Sequence, residues 1–546
     1  MNQLNLLKDP WLPIIRKDGD KEKIAIHQLL NSYAENPIME LESPRPDFRN
    51  ALYQLLIGIV QVAAMPENER KWKRLFSEPY SSKEFSERVL KYEKCFEIDS
   101  DGPAFMQDFD NLSDQSEKPI YWLIMGSPGE NTIKLNKAHF VKDIQGFQLD
   151  PYWAAIALFE LQTVGPPDGG GHREGLSGSG ALTTIILPVE KVESSTLWQK
   201  IWINIFPKEY INSWNGNREK QIFPWMIQTK SSTGDVKTFF DDLHPLSVYW
   251  GFPRRTRLLF SEKLGICSLT NTKSENLVKG YKMLKHGTLY HNTWQHPFVP
   301  YQNEHPDKEG KKKNSMRAIT ANFSYANWCS VALNNERYKN SRIIDYFFTQ
   351  RHSTLRRELG ITSLIWTSGF HMKSGEATVI NWNEAKWPLY DLTNEESAKV
   401  YNFINMIVSE ATIIQTELIE SIKKAWFKPR IIGRGKESWK RVVDSRKFTL
   451  STSHITSSFW QKTEPSFYSL LKKLVENLED VELKNSLLDE WGTILKREVE
   501  NLFDANALAQ QEDGLNMKRV VKSRQELGKG IGKMFKNLKA LKDVEE

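Results

Sequence analysis

Apolar and polar positions change period several times over the first two thirds of the chain, then settle into one helical period. Phe48 to Met65 carries apolar residues at helical spacing, which predicts a buried helix ended by Pro66. Residues 72–96 repeat at about 3.6 and predict one further helix. From Phe140 to Lys191 short apolar pieces alternate with Gly and Pro, which predicts strands joined by ordered loops. Within that stretch Thr183-Thr-Ile-Ile-Leu-Pro188 reads as a strand stopped by its proline. Residues 245–300 continue the same strand-and-turn texture.

The texture changes near residue 391. Asp391-Leu-Thr393-Asn-Glu-Glu396 is a capping box, in which Thr393 accepts from the Glu396 N–H and the Glu396 side chain reaches back. Beyond it Val400, Phe403, Ile407, Ala411, Ile414, Leu418 and Ile422 recur at helical intervals up to Pro429. Residues 464–478, 482–502 and 518–542 offer three more helical patterns. The expected fold class is therefore α+β: a large mixed α/β N-terminal globular domain over 1–388, then a C-terminal four-helix bundle over 389–546. The boundary is expected in the connection Trp382–Asp391.

Composition narrows the function. The 546 residues suit three to four domains at roughly 150 residues each, and 40% hydrophobic with 26% charged residues excludes wholesale disorder. No apolar run reaches the roughly 18–20 residues of a membrane helix, and the N-terminus lacks a signal-peptide pattern. Three scattered cysteines, Cys95, Cys267 and Cys329, give neither a disulfide framework nor a zinc knuckle. A cytoplasmic protein without membrane contact is expected.

The formal net charge is only +6, yet basic residues cluster. Lys428 to Lys447 holds eight against Glu437 and Asp444, and Lys518 to Lys542 holds nine against Glu526 alone. Smaller groups sit at Arg254-Arg255-Thr-Arg257 and Lys311-Lys312-Lys313. One such run is usually a solvated face, but several together favour a polyanionic partner.

Enzyme signatures fail in turn. Gly528-Lys-Gly-Ile-Gly532-Lys533-Met534 is one residue short of a phosphate loop and offers Met where Mg²⁺ needs a hydroxyl. Gly175-Leu-Ser177-Gly-Ser179 lacks the last glycine of a hydrolase elbow. His286, His291, His296 and His305 are not at helical ligand spacing. No catalytic residue, cofactor or metal is expected. One segment stands apart: Gly165 to Gly180 holds seven glycines in sixteen residues, between the apolar pieces Ala154–Phe159 and Thr183–Leu187. Without Cβ atoms its backbone can approach a ligand closely, so an ordered contact loop is expected over a flexible linker.

Five pieces, in order, carry a resemblance: Asn5-Leu-Leu-Lys-Asp9-Pro-Trp11-Leu-Pro13-Ile, Ala104-Phe-Met-Gln107, Ala155-Ile-Ala-Leu-Phe159 with Gly169-Gly-Gly…Gly175-Leu…Thr183-Thr184, Trp294-Gln-His-Pro297, and a helical end with Phe459-Trp460. Together they resemble the large subunit of the type I-E CRISPR Cascade complex, the CasA family, over nearly the whole chain. The resemblance implies a non-catalytic subunit at the foot of a crRNA-guided complex that reads the protospacer-adjacent motif of double-stranded DNA, while guide pairing reads the rest. It implies that Gly169, Gly170 and Gly171 enter the minor groove and that a lysine joins them. That lysine is Lys285, or Lys282 if the alignment slips. A duplex-splitting hairpin would correspond to Gly369–Glu376, where Lys373 and Ser374, followed by the small Gly375, replace the family's two amides. A loop with Lys134, Asn136, Lys137, His139 and Lys142 would face the crRNA 5′ handle or neighbouring subunits. Implied partners are crRNA, the backbone, small and 5′-handle-binding subunits, the target duplex, and a recruited helicase-nuclease. The basic runs would meet the displaced strand. Two other readings stay open: a scaffold that holds crRNA and neighbouring subunits without reading the motif, and an enzyme using the glycine loop for a nucleotide.

Overall fold

The computed structural model describes residues 3–128, 146–167, 171–189, 195–291, 294–303, 313–315, 324–333, 338–372, 378–390, 392–427, 453–509 and 516–542. It is mixed helix and strand, and divides into two compact units. One comprises Met1–Ile319 and Glu336–Asp391, the other Thr320–Asn335 and Leu392–Glu546.

The first unit opens with a small antiparallel sheet, β1 (Leu12–Arg16) between β2 (Lys21–Ile24) and β3 (Ile38–Leu41). Helix α1 (Pro46–Ala63) follows and is buried along most of its length. The single helix expected over 72–96 is two, α2 (Glu69–Ser77) and α3 (Ser82–Leu90), followed by a short 3₁₀ turn. Pro79 lies between them, and Ser81 starts the second by accepting from the Glu84 N–H at 3.2 Å. Strand β4 (Glu117–Pro119) leads toward the next helix.

That helix, α4 (Pro151–Val164), corrects the expectation of strands over 140–191. Thirteen of its fourteen residues are buried, so it carries no polar stripe and hence no helical period to read. Its start is nonetheless conventional: Asp150 accepts from the Tyr152 N–H at 3.0 Å and Pro151 occupies the first turn.

Strand β5 (Thr183–Val189) was expected to stop at Pro188 but runs one residue past it. It is the edge of a three-stranded sheet, where a missing N–H costs no ladder bond. A second sheet orders β4, then β7 (Leu277–Leu284), then β6 (Arg255–Ser261). The sheet holding β5 is completed by the long hairpin β8 (Thr362–Met372) and β9 (Val379–Pro388), with β8 in the middle. β9 occupies much of the stretch expected to be the inter-domain connection.

In the second unit four long helices pack together: α5 (Asn394–Trp426), α6 (Ser453–Glu476), α7 (Val481–Phe503) and α8 (Met517–Lys542). The Thr393/Glu396 capping box is formed in both directions, at 3.2 and 2.7 Å. Helix α6 starts earlier than its pattern suggested and runs through Pro465. Segment 324–333 belongs to this unit, with Tyr325 bonded to Thr463 at 2.8 Å and ringed by Trp460, Phe467 and Trp491. Among the described residues no helix is long and apolar enough to cross a membrane.

Candidate functional site

The glycine-rich segment joins α4 to β5, and its return leg is folded onto the end of α4. The Gly175 N–H donates to Gly165 O at 2.8 Å, Ser177 N–H to Thr163 O at 3.2 Å, and Gly180 N–H to Val164 O at 3.0 Å. These bonds satisfy the carbonyls that a helix C-terminus leaves unpaired. A Cβ on Gly175 would overlap the Thr163 carbonyl, so glycine is required there by the fold itself. Arg254, buried, donates to Pro166 O from the other side, placing a cation at the negative end of α4.

Gly171 marks the opposite end of the described loop. Its φ is +93°, and its carbonyl accepts from the His286 N–H at 2.9 Å. A Cβ built there would stand 2.8 Å from the His286 ring. His286 directly follows Lys285, which is exposed just beyond the end of β7. The loop and the lysine, distant in sequence, are thus neighbours. Lys282 lies within β7 and its ammonium donates to Ser113 O at 3.0 Å. Of the two candidate lysines, only Lys285 projects from a strand end beside the loop.

The hairpin meets the same loop. A Cβ on Gly180 would lie 2.6 Å from Met372 Cγ and 2.7 Å from Phe370 O, both in the last residues of β8. Across the hairpin Phe370 stacks edge-on against Trp382 at 4.8 Å. Arg49 of α1 braces the returning strand through Glu384 at 2.9 Å and lies over Trp366 at 5.2 Å. Gly126 also reaches this hairpin: its Cβ would be 3.8 Å from Val379 Cγ1. Beyond residues 129–145, Gln148 fastens the chain to Ser268 Oγ and Ile266 O at 3.1 and 3.0 Å.

Several expected site residues lie outside the described residues: Gly169 and Gly170, the hairpin tip Lys373, Ser374 and Gly375, and Lys134, Asn136, Lys137, His139 and Lys142. So does the run Lys428–Lys447. The Arg254–Arg257 cluster, read as a possible polyanion surface, is spent inside the protein. Arg255 pairs with Asp108 and Asp110, both at 2.7 Å, and these hydrogen bonds hold its pKa above the usual arginine value. Arg257 donates to the carbonyls of Gly102, Asp108 and Ser100.

The phosphate-loop look-alike at Gly528–Lys533 is part of α8, so its N–H groups serve the helix and form no anion cradle. Ser177, within the return leg, is buried. Among the described residues no cluster of three or more His, Cys, Asp or Glu could hold a metal. Sequence reasoning missed Arg173 and the roles of His286 and Arg254, whose partners are all distant in the chain. The one local signal was Gly287, where a Cβ would overlap the Pro253 carbonyl, a mark of a tight backbone crossing.

Comparison with known proteins agrees with this architecture. CasA (Cse1) of Thermus thermophilus superposes with a TM-score of 0.68 at 15% identity, covering 98% of this chain and all of the other. Cse1 from Acidimicrobium ferrooxidans gives 0.68 at 15%, with 98% of each chain covered. A chain of a CRISPR RNA-guided surveillance complex gives 0.64 at 15%, covering 96% and 99%. These likenesses establish the fold. The sequence profile of CRISPR-associated protein Cse1 matches residues 5–502, and the chain accordingly belongs to the Cse1 family, the large subunits of type I-E Cascade.

Proposed function

We propose that this chain is a non-catalytic subunit of a crRNA-guided antiviral surveillance complex that reads the protospacer-adjacent motif of duplex DNA, starts R-loop formation, and supports recruitment of the effector nuclease. The observation that carries the reading is convergence: Gly171, Lys285 and the end of the β8–β9 hairpin, far apart in sequence, meet around one loop. In this reading Gly169, Gly170 and Gly171 approach base edges in the minor groove, where only a bare backbone fits and where degenerate readout tolerates several motifs. Lys285 supplies a charge beside them. Lys282 is the poorer candidate, since its ammonium already has a carbonyl partner. The hairpin tip at Lys373-Ser374-Gly375 enters the duplex, and Lys134, Asn136, Lys137, His139 and Lys142 face crRNA or a neighbouring subunit.

The test uses the complex reassembled with crRNA. Wild type should bind a motif-bearing duplex better than one without the motif, and bind a complementary single strand regardless of motif. Gly170→Asp should remove the first preference and leave the second. Equal binding of both duplexes by wild type would favour the scaffold reading. Gly171→Ala is not an equivalent probe, because its new Cβ meets His286 before any DNA.

A further inference from the structure

The corner that presents Lys285 is built from backbone bonds to two other segments. His286 has φ +61°, a left-handed conformation that Gly, Asn, Asp and His tolerate and β-branched residues adopt only with strain. Its N–H donates to Gly171 O at 2.9 Å, while its own carbonyl accepts from the Ser232 N–H at 3.0 Å. Its imidazole lies against Gly171, and its Nδ1 is buried without a hydrogen-bond partner. The ring therefore acts here by filling space.

Arg173 closes the triangle. It donates to Ser232 Oγ at 2.9 Å and Ser232 O at 3.2 Å, and pairs with Asp235 at 2.9 Å. Ser232 is itself buried. The glycine loop, the 232–235 turn and the Lys285 corner are thus tied pairwise. Gly287 adds the close approach to Pro253 already noted.

From this geometry we infer that His286 is a positioning residue: its left-handed backbone and its ring against Gly171 set Lys285 and the glycine loop at a fixed separation, so that both engage one duplex together. The inference rests on the motif-reading function proposed above and adds how its two elements are held in register. His286 itself touches no DNA in this scheme. A rotation at this residue would swing Lys285 away from the loop without altering the charge of either.

The experiment uses the reassembled crRNA complex carrying Lys285→Ala, His286→Val, His286→Asn, or Lys285→Ala with His286→Val, assayed on a motif-bearing duplex and on a complementary single strand. Valine cannot adopt the left-handed corner without strain, whereas asparagine can. His286→Val should weaken duplex capture about tenfold, comparable with Lys285→Ala, the scale of one strained residue. His286→Asn should recover most of that loss. The double variant should be no worse than either single variant, because a displaced Lys285 no longer contributes to capture. Single-strand binding should stay unchanged throughout.

Additive losses in the double variant, or Asn performing no better than Val, would overturn the positioning role while leaving the motif-reading function intact. No effect of Lys285→Ala on duplex capture would overturn the reading at Lys285, and the positioning role with it. A matching loss on the single strand would mark His286 as a folding residue only.

Discussion

Two basic runs that look alike in sequence end in opposite states. In Arg254–Arg257 every arginine is turned inward, holding Pro166 O, Asp108 with Asp110, or a ring of backbone carbonyls. In α8 the described residues divide by type. Arg519 donates to Ala425 O and Trp426 O, and Arg524 pairs with Asp504 and Glu500, while Lys518, Lys522 and Lys529 are exposed. The buried stripe Val520, Ser523, Leu527 and Ile531 sets which side faces the bundle. The guanidinium fork, with five fixed donors, suits carbonyl clusters and carboxylates inside a fold, and the more strongly hydrated ammonium is left outside. Charge available to a polyanion is therefore counted in lysines here.

The sharpest way to break that contrast is Arg255→Ala. It leaves the fully buried Asp108 carboxylate without its cation, held by the Thr229 hydroxyl and the Asp110 N–H, and should cost about 3 kcal/mol. Urea unfolding of the full chain checks this. An early transition is expected, with hydrogen exchange placing the loss at β6. A shift no larger than that of a surface lysine variant would erase the distinction.

Next comes Gly175→Ala, which pushes a methyl into the Thr163 carbonyl within the loop that Arg254 supports. A cost of about 1–3 kcal/mol is expected from the forced backbone shift, together with loss of exchange protection at the Ser177 and Gly180 amides. Those two amides staying protected would mean that the return leg adapts, and that its glycine is not dictated by packing.

Acid provides a third contrast. Burial lowers the pKa of His296 to about 3 and that of His244 to about 4, so both are neutral in the folded first unit. Unfolding restores values near 6.5. Between those limits the unfolded chain binds more protons, so the stability these residues contribute is complete above about pH 6.5 and is lost as pH falls toward 3–4. Urea midpoints measured from pH 7 to pH 4 should fall, and His296→Gln should flatten the slope. The contrast is with the exposed lysines of α8.

The smallest stability effect belongs to those lysines. Replacing Lys518, Lys522 and Lys529 with alanine should change stability by no more than about 0.5 kcal/mol each. Their effect should appear in binding instead. If they meet a single strand, the slope of log affinity against log salt should fall by about 0.7 for each phosphate that is no longer neutralised. An unchanged slope would remove α8 from the nucleic-acid surface.

What local sequence determined on its own is what local physics decides. The Thr393–Glu396 box formed as read because its atoms are three residues apart. The helices of the second unit followed from a one-sided apolar stripe. The strand and turn textures over 245–300 likewise held, and the ordered pieces from Asn5 to Trp460 were enough to carry the family. What only tertiary structure decided is whatever depends on a distant partner. Helix α4 was illegible because it is buried on every side and has no polar face to set a period. The outcome for Arg255 was settled by Asp108, nearly 150 positions away. That Lys282 reaches the Ser113 carbonyl while Lys285 lies exposed past the end of β7 depends on segments far from either lysine. Gly171 and His286 were two unrelated letters until the fold placed one backbone against the other, because a contact between segments leaves no periodic trace in either.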